Sequence, residues 1–428
     1  MKVLQLGKFY PIIGGVEKVM FDLTTGLSED GVDCDMLCAI SKDRFNAVVS
    51  GCSARAAAVE VSPAAGETAQ AGQGPEPSTP GAAGTSPSPE DVRFNADPLH
   101  PDTILTAVLN PHSRLICCKA LAKKAATMLS PAMIRTLRRI CNDYDIIHIH
   151  HPDPMAALAL LLSGYKGRVI LHWHSDILKQ KLLFQFYRPL QNWLTRRAET
   201  IVGTTPVYVE ESPHLRHCKD KLTYLPIGVP QMRPDPEKVR EIRNRFPGKK
   251  IILSTGRLVE YKGFEYLIDA ASMLDDGHVI LIGGTGPLET ALKQKIREGS
   301  LDGKVFLEGW IPTGWISSYF GACDAFCLSS IYKTEAFGIV QIEAMSVGKP
   351  VVATRIPESG VAWVNEDGVS GLNVPPAYPA ALAEALKKVT DDPEMNRRLG
   401  EGALKRYESI FTRKAMIDNC KRIYNSQK

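Results

Sequence analysis

Apolar and polar positions along this chain follow two alternating periods. Short apolar runs of strand length precede longer segments with helical apolar spacing, beginning with a strand at Val3–Gly7 and a helix at Val16–Glu29. Such βαβ alternation is typical of parallel, doubly wound sheets, so the pattern predicts an α/β fold. Further strands are predicted at Asp33–Ala39, Asp145–His150, Arg168–His172, Thr200–Gly203, Lys249–Ser254, His278–Ile282, Val305–Leu307 and Ala325–Leu328, and further helices at Pro131–Asn142, Pro154–Leu162, Leu288–Glu298, Ile339–Ser346 and Leu399–Tyr424.

The alternation stops and starts again in the middle of the chain. Pro230–Pro247, a segment rich in proline and charge, separates the two series of elements. We therefore expect two Rossmann-like domains whose parallel sheets face each other across a cleft, a favoured position for ligands. The expected bounds are 1–228 for the N-terminal domain, 229–408 for the C-terminal domain, and 409–428 for a helix that returns toward the N-terminal domain.

One segment of the N-terminal half lacks the residues that a packed core needs. Ser62–Asp91 contains six prolines and many small residues, but no aromatic residue and no Leu or Ile. Such a segment buries too little surface to offset the entropy of ordering it. We interpret it as a disordered insertion that forms a surface loop.

Bulk composition narrows the class of protein. The 428 residues are 44% hydrophobic and 23% charged, as in an ordinary globular protein, and a net charge of +4 does not favour nucleic acid as a partner. The ten cysteines show neither the paired spacing of a zinc site nor a disulfide framework, which favours buried free thiols in a reducing compartment. The apolar run at the N-terminus is too short for a signal peptide, and Met155–Leu162 is too short to span a bilayer. We expect a cytoplasmic protein.

Two glutamates, Glu335 and Glu343, are separated by seven residues across a small, apolar turn. Glu335 is predicted in the loop after the strand Ala325–Leu328, and Glu343 in the next helix. In open α/β sheets the carboxyl ends of strands form the ligand-binding crevice. Two solvated glutamates would account for the pattern equally well when it is taken alone.

Three further groups of residues follow predicted strands. Arg257 and Lys262 lie in the segment GRLVEYKG, and a guanidinium with an ammonium suits a diphosphate. Glycine-rich turns at Gly283–Gly286, which include Gly284, and at Gly14-Gly15 permit close approach of a ligand to the backbone. Each group alone is equally well explained as a solvated basic loop or a tight turn. Their common position at carboxyl ends of strands favours a ligand site.

At this point the chain resembles a known family. The twin glutamates, GRLVEYKG, the early Gly14-Gly15 loop and the segment Leu225–Val229 are similar to retaining glycosyltransferases of family 4, which have the GT-B fold. The resemblance covers nearly the whole chain except Ser62–Asp91. It implies an N-terminal domain that binds the acceptor and a C-terminal domain that binds a nucleotide sugar.

The resemblance also implies roles for individual residues. Arg257 and Lys262 would hold the diphosphate of the donor, Glu343 its ribose, and Glu335 would lie beside its sugar. The backbone of Phe337, Gly338 and Ile339 would bind sugar or phosphate, with Gly14, Gly15 and Gly284 as further donor-binding positions. The family uses no catalytic metal and no cofactor, since basic side chains and helix dipoles neutralise the leaving group. No enzymic nucleophile is agreed for it, so the role expected for Glu335 is positional and electrostatic.

Histidines form two clusters, at His148–His151 and around His172 and His174. The resemblance matches His174 to an active-site histidine near the donor sugar, with His172 as the alternative if the register differs. His150 or His151 is a candidate for the acceptor pocket. A metal site would require the two clusters to be neighbours, and the sequence shows no evident ligand set.

Basic residues with apolar partners occur in the N-terminal half, which suits an anionic membrane surface as well as a solvated helix face. They include Lys119, Lys123, Lys124, Arg135, Arg138, Arg139, Lys179, Lys181, Arg188, Arg196 and Arg197, beside the apolar run Leu182–Tyr187.

The sequence therefore predicts a retaining, metal-independent glycosyltransferase that moves a hexose from a nucleotide sugar to a saccharide or lipid-linked acceptor. It would act in polysaccharide or glycolipid biosynthesis, in the cytoplasm or on the inner face of a membrane. The alternatives are a GT-B epimerase or phosphorylase and a non-catalytic module that binds sugar nucleotides. A phosphorylase would need a pyridoxal-phosphate lysine, for which no motif is present, and intact Arg257, Lys262, Glu335 and Glu343 count against loss of turnover.

Overall fold

A computed structural model describes the chain except for residues 13, 52–87, 90, 125–126, 178–180 and 427–428. The insertion predicted at Ser62–Asp91 therefore lies outside the described residues, apart from residues 88, 89 and 91.

Each strand predicted from an apolar run is present within a few residues, and the structure has further strands. The strands are β1 (Lys2–Tyr10), β2 (Asp33–Ile40), β3 (Asn95–Ala96), β4 (Ile104–Asn110), β5 (Ser113–Lys119), β6 (Ala122–Lys124), β7 (Thr127–Leu129), β8 (Ile146–His151), β9 (Arg168–Trp173), β10 (Thr200–Gly203), β11 (Leu222–Tyr224), β12 (Lys250–Thr255), β13 (His278–Gly283), β14 (Val305–Gly309), β15 (Ala325–Leu328), β16 (Val351–Thr354) and β17 (Gly371–Val374).

The helices fall between them, and several begin at a side chain that caps the first turn, as Asp153 does for the fourth helix. They are α1 (Gly15–Glu29), α2 (Lys42–Val49), α3 (Pro131–Ile140), α4 (Pro154–Ser163), α5 (Lys181–Arg197), α6 (Pro206–Glu211), α7 (Pro236–Asn244), α8 (Phe264–Ala271), α9 (Glu289–Glu298), α10 (Thr313–Ala322), α11 (Ile339–Met345), α12 (Val361–Val364), α13 (Pro379–Asp391), α14 (Pro393–Arg406) and α15 (Arg413–Asn425).

The first sheet has the strand order β11-β10-β9-β8-β1-β2-β5-β4-β3. β1 pairs in parallel with β2 and with β8, and Val3 is opposite Cys34 on one side and Ile146 on the other. The prediction of a parallel sheet fails at one edge, where β4 runs antiparallel to both β5 and β3. Only two residues connect β4 to the antiparallel β5, so no helix intervenes and the βαβ alternation is absent at this edge.

The second sheet has the order β14-β13-β12-β15-β16-β17, and all of its neighbouring strands are parallel. This is the strand order of a Rossmann sheet. Its first and fourth strands lie side by side, and successive strands are added outward from them on opposite sides. The first and fourth strands are β12 and β15. The crevice beyond their carboxyl ends is therefore the topological switch point, where open α/β sheets bind ligands.

The described chain divides into two compact units. The first unit is Met1–His172 with Lys179–Thr200, and the second unit is Trp173–Leu178 with Ile201–Lys428.

The thiols are as predicted for the part of the chain that the structure covers, where nine cysteines are buried and free. Among the described residues, no helix combines the length and apolarity needed to cross a bilayer.

The helix predicted at Leu399–Tyr424 is interrupted. A π-helical turn at Tyr407–Phe411 and an extended Thr412 separate α14 from α15. The cause is Val229, whose N–H donates to the carbonyl of Phe411 and whose carbonyl accepts from the N–H of Arg413. A tertiary bridge thus takes backbone groups that a continuous helix would use.

We expect the Gly228→Ala substitution to destabilise the protein by about 1–3 kcal/mol, the usual cost of overpacking. A Cβ at Gly228 would lie 2.2 Å from the carbonyl oxygen of Thr412, and this backbone atom cannot move without breaking the Val229 bridge. Urea denaturation measures the change. Gly303→Ala is the control, because a Cβ there meets nothing within 4 Å. Equal stability of the two variants would contradict the packing argument.

Candidate active site

Lys262 ends a short 3₁₀ turn, Glu260–Lys262, that follows β12. The next residue, Gly263, has a φ of +62°, and a Cβ there would lie 2.3 Å from the carbonyl oxygen of Ser329. Glycine is therefore required for this turn to lie against the loop after β15. The close approach of these two loops brings the buried Lys262 side chain to the switch point of the second sheet.

Glu335 lies in the loop between β15 and α11, as predicted, and its side chain is also buried. The Lys262 ammonium is 2.5 Å from Glu335 Oε2, and the Ser330 hydroxyl donates to the same oxygen at 2.9 Å. Two residues that follow different strands thus form one buried, charge-assisted contact.

The electrostatics of this pair favour a charged lysine. Burial alone would lower the pKa of Lys262, but the carboxylate of Glu335 and, less strongly, that of Glu343 bring it above its ordinary value. Glu343 is in the second turn of α11, as predicted. Lys262 is therefore a permanent cation at the switch point, close to both glutamates.

The backbone at the start of α11 forms another part of the candidate site. Gly338 is the N-cap with a φ of +73°, Phe337 before it is buried, and Ile339 is the first helical residue. A Cβ at Gly338 would lie 2.7 Å from the amide nitrogen of Gln341 and 2.8 Å from Leu328. The turn at Gly338 is therefore packed tightly between the end of β15 and the first turn of α11.

Arg257 and Gly284 follow β12 and β13, two neighbouring strands. A Cβ at Gly284, whose φ is +139°, would lie 1.9 Å from the carbonyl oxygen of Gly256. Because only glycine allows this contact, the two loops run side by side. The Arg257 side chain is exposed, so its guanidinium is accessible to a ligand.

Gly14 and Gly15 lie in the first unit, where Gly14 is the exposed N-cap of α1. A Cβ at Gly14 would lie 2.1 Å from a carboxylate oxygen of Glu17, which is buried at the same helix start. The Glu17 carboxylate therefore already interacts with the positive end of the α1 helix dipole.

His174 follows β9 and is buried. Sequence reasoning missed its neighbour Asp176, whose side chain is only 1% exposed. Asp176 Oδ1 accepts from the Trp173 indole and from the Ser212 hydroxyl, both at 2.9 Å. In the sequence, the feature that could have pointed to Asp176 is its position two residues after His174.

Lys333 was also missed, although it lies two residues before Glu335. Its ammonium is 3.0 Å from Asp176 Oδ2 and 2.8 Å from Glu358 Oε2. Burial opposes the charge on Lys333, but the hydrogen bond to Glu358 and the charge of Asp176 leave its pKa raised. Within the second unit, this lysine ties the segment that carries His174 to the turn that carries Glu335.

The turn of Glu335 is held from another side as well. The Glu335 N–H donates to the carbonyl of Tyr332, its own carbonyl accepts from Ser359 Oγ, and the Gly360 N–H donates to the carbonyl of Ala336. Glu335 is therefore presented by a rigid turn.

The two histidine clusters are neighbours, as a metal site would require. His148, His150 and His172 are buried together in the first unit, with one ring nitrogen of each within 4.8 Å of the others. His150 and His151 do not line an open pocket. His150 contacts Gln5 at 2.8 Å, His151 contacts Gln191 at 3.1 Å, and both rings are buried.

Family models match both halves of the chain. Residues 14–228 match the model described as "Glycosyl transferase 4-like domain", and residues 235–406 match "Glycosyl transferases group 1".

Two curated relatives extend the match over most of the chain. O-antigen chain mannosyltransferase C of Escherichia coli is 32% identical over 335 residues, which cover 76% of this chain and 87% of the relative. D-rhamnosyltransferase WbpZ of Pseudomonas aeruginosa is 28% identical over 291 residues, which cover 67% of this chain and 75% of the relative.

Solved structures show the same fold. Anabaena Alr3699/HepE in complex with UDP matches with a TM-score of 0.72 and 16% identity over the whole of both chains. Sucrose-phosphate synthase of Thermosynechococcus elongatus matches with a TM-score of 0.69 and 19% identity over 99% of this chain and 98% of that one. With both halves matched by family models and a relative at 32% identity, the chain belongs to the family-4 glycosyltransferases and has the GT-B fold.

Proposed function

We propose that this glycosyltransferase moves a hexose from a nucleotide-diphosphate sugar to a saccharide or lipid-linked acceptor, with retention of the anomeric configuration and without a metal ion. The supporting observation is the buried contact of Lys262 with Glu335 at the switch point of the second sheet. A cation and a carboxylate held there suit a ligand that carries both phosphates and hydroxyl groups.

The diphosphate leaving group would be neutralised by Lys262 and Arg257. Negative charge develops on the diphosphate as the bond to the sugar breaks, and a fixed cation in a buried site stabilises it without reorganisation. Lys262 is held by Glu335, which also accepts from Ser330, while Arg257 is exposed and free to close over the outer phosphate. These two cations perform the role that a divalent ion fulfils in other sugar-nucleotide enzymes.

The glutamates would recognise hydroxyl groups. A carboxylate accepts two hydrogen bonds from neighbouring hydroxyls, which suits ribose for Glu343 and the donor sugar for Glu335. Glu335 already accepts from Ser330, so it is oriented before the donor arrives. His174, buried at the end of β9, is proposed on the side of the sugar.

For the transferred sugar we propose a hexose with the mannose configuration. One relative is a mannosyltransferase and another a D-rhamnosyltransferase, and D-rhamnose is 6-deoxymannose. The hydroxyl groups that these two sugars share are the ones that we expect the donor site to recognise. HepE was crystallised with UDP and with UDP-glucose, so UDP is among the nucleotides that the screen below compares.

Asp176 and Lys333 are proposed as positioning residues. Lys333 bridges Asp176 and Glu358 on either side of the turn that presents Glu335. Asp176 therefore acts on the donor sugar through Lys333 and Glu335.

For the acceptor side we propose contact with an anionic membrane surface. Arg135, Arg138 and Arg139 are exposed on α3, and Phe186 on α5 is 85% exposed. Exposed cations and an exposed aromatic ring in one unit suit phospholipid headgroups. A lipid-linked acceptor in the cytoplasmic leaflet would be reached from this position.

In a thermal-shift screen of GDP, UDP and ADP, we expect one nucleotide to stabilise the wild type, by about 2.7 kcal/mol at 100 times its Kd. Glu343→Ala should lose most of this shift, because its ribose contact is removed. Glu384→Ala, at an exposed position of α13, is the control and should keep it. No shift with any nucleotide would contradict the donor proposal, and an undiminished shift in Glu343→Ala would contradict the ribose contact.

We expect Lys262→Met to reduce transfer by roughly 10² to 10³, because a fixed cation at the leaving group is lost. The variant also leaves Glu335 buried without a counter-charge, at a cost of about 3–5 kcal/mol. The double variant Lys262→Met/Glu335→Gln removes that charge and should recover stability without recovering activity. Assays in EDTA, with wild type alongside, test metal independence at the same time. An active Lys262→Met enzyme would contradict the mechanism, and so would wild type that loses transfer in EDTA while its thermal stability is unchanged.

We expect Asp176→Asn to lower kcat by one to two orders of magnitude, the scale of a small misplacement at the reacting centre. The Kd for the nucleotide should stay unchanged, since Asp176 acts on the sugar side. Lys333→Met should have a similar effect, and the double variant should be no worse than either single one, because both changes break the same link. Glu401→Gln, which breaks an exposed ion pair with Arg397, is the control. Additive losses would show that Asp176 does not act through Lys333.

A further inference from the structure

Three histidines converge on one face of the first sheet. His148 and His150 alternate along β8, and His172 lies on the neighbouring strand β9, so all three side chains project to the same side. Their exposed fractions are 1%, 0% and 0%. No step proposed for glycosyl transfer uses them.

The ring positions form a nearly equilateral triangle. Ring centroids are 5.0 Å apart for His148 and His150, 5.2 Å for His148 and His172, and 5.2 Å for His150 and His172. A tetrahedral zinc ion holds imidazole nitrogens at about 2.0–2.1 Å, which places the centroids of its histidine ligands roughly 5 Å apart. The triangle thus has the size of a three-histidine zinc site.

We propose that His148, His150 and His172 bind one divalent transition-metal ion of the zinc type. One ring nitrogen of each lies within 4.8 Å of the others. Tetrahedral coordination requires roughly 3.4 Å between ligand nitrogens, so the rings would move closer together when the ion binds. Imidazole is a preferred ligand of zinc, and three histidines leave a fourth position for solvent or a further oxygen.

A neighbouring residue sets the tautomer of one ring. His150 Nε2 is 2.8 Å from the amide oxygen of Gln5, while the amide nitrogen of Gln5 donates to Cys34 Sγ. With that oxygen as acceptor, His150 carries its proton on Nε2 and keeps a lone pair on Nδ1. Histidines that bind metals characteristically donate their second nitrogen to such a carbonyl oxygen.

The protonation state also suits a metal. Burial lowers the pKa of all three histidines, that of His172 to about 3, so the rings are neutral at physiological pH. Neutral imidazole is the form that coordinates metals. After burial and the two neighbouring histidines, the charge of Lys8 also lowers the pKa of His150. The carboxylates of Asp153 and Glu17 act on Lys8.

The ion would have a structural role. It would join β8 to β9 in the middle of the first sheet, and the burial of its ligands means that it would enter as the unit folds. The site is independent of the proposed transfer reaction, whose cations Lys262 and Arg257 lie in the second unit.

Metal analysis of the full chain, refolded with Zn²⁺ and then dialysed, tests the proposal. We expect about one zinc ion per chain in the wild type, and a loss of this ion in His148→Ala and in His172→Ala. His112→Asn is the control, because His112 is an exposed histidine of the same unit that pairs with Asp33. Wild type without stoichiometric zinc, or His172→Ala that retains it, would overturn the proposal and indicate simple packing of neutral rings.

A second measurement needs no variant and so holds even if the substitutions prevent folding. Wild type refolded with Co²⁺ should show the intense visible absorption of tetrahedral cobalt, without the near-ultraviolet charge-transfer band of cobalt bound to thiolate. Zn²⁺ should abolish this absorption by displacement. Absence of the visible band, or a thiolate band in its place, would overturn the histidine site.

Discussion

The buried contact between Lys262 and Glu335 is the interaction on which the site of the second unit depends. Moving two charges out of water costs several kcal/mol for each ion, so such a pair persists only where geometry and further hydrogen bonds are favourable. Here Ser330 donates to the glutamate and Glu343 adds a second negative charge near the lysine. The result is a charge arrangement that is set before any ligand binds, which is what stabilisation of a leaving group requires.

Close backbone contacts make this arrangement possible. Gly263 allows the turn of Lys262 to touch the loop after β15, and Gly284 allows the loops after β12 and β13 to touch each other. Any side chain at either position would push the loops apart. The turn of Glu335 is held in addition by Lys333, which links it to Asp176 and Glu358. The glycines allow the loops at the strand ends to approach each other, and the ion pairs then hold these loops in place.

Much of the fold was predictable because strand and helix periods are local properties. Nearly every strand predicted from an apolar run is present within a few residues, as β12 and β13 illustrate. Glu335, Arg257 and Lys262 were singled out because each follows a predicted strand, and Glu343 because it lies in the helix after Glu335. The antiparallel edge of the first sheet was missed because its hairpin carries no helix. The break at Thr412 was missed because its cause, Val229, is remote in sequence.

The sequence by itself determined the class of fold, the order of elements, the family resemblance and the residues at the strand ends. Only the tertiary structure decided which of those residues meet. Lys262 meets Glu335 because β12 and β15 are neighbours in the second sheet, although two strands lie between them in the chain. His148 and His150 meet His172 because β8 lies beside β9, and Asp176 meets Lys333 within the second unit. The physical reason is that periodicity reports which face of an element is buried, whereas the partner of that face depends on the strand order.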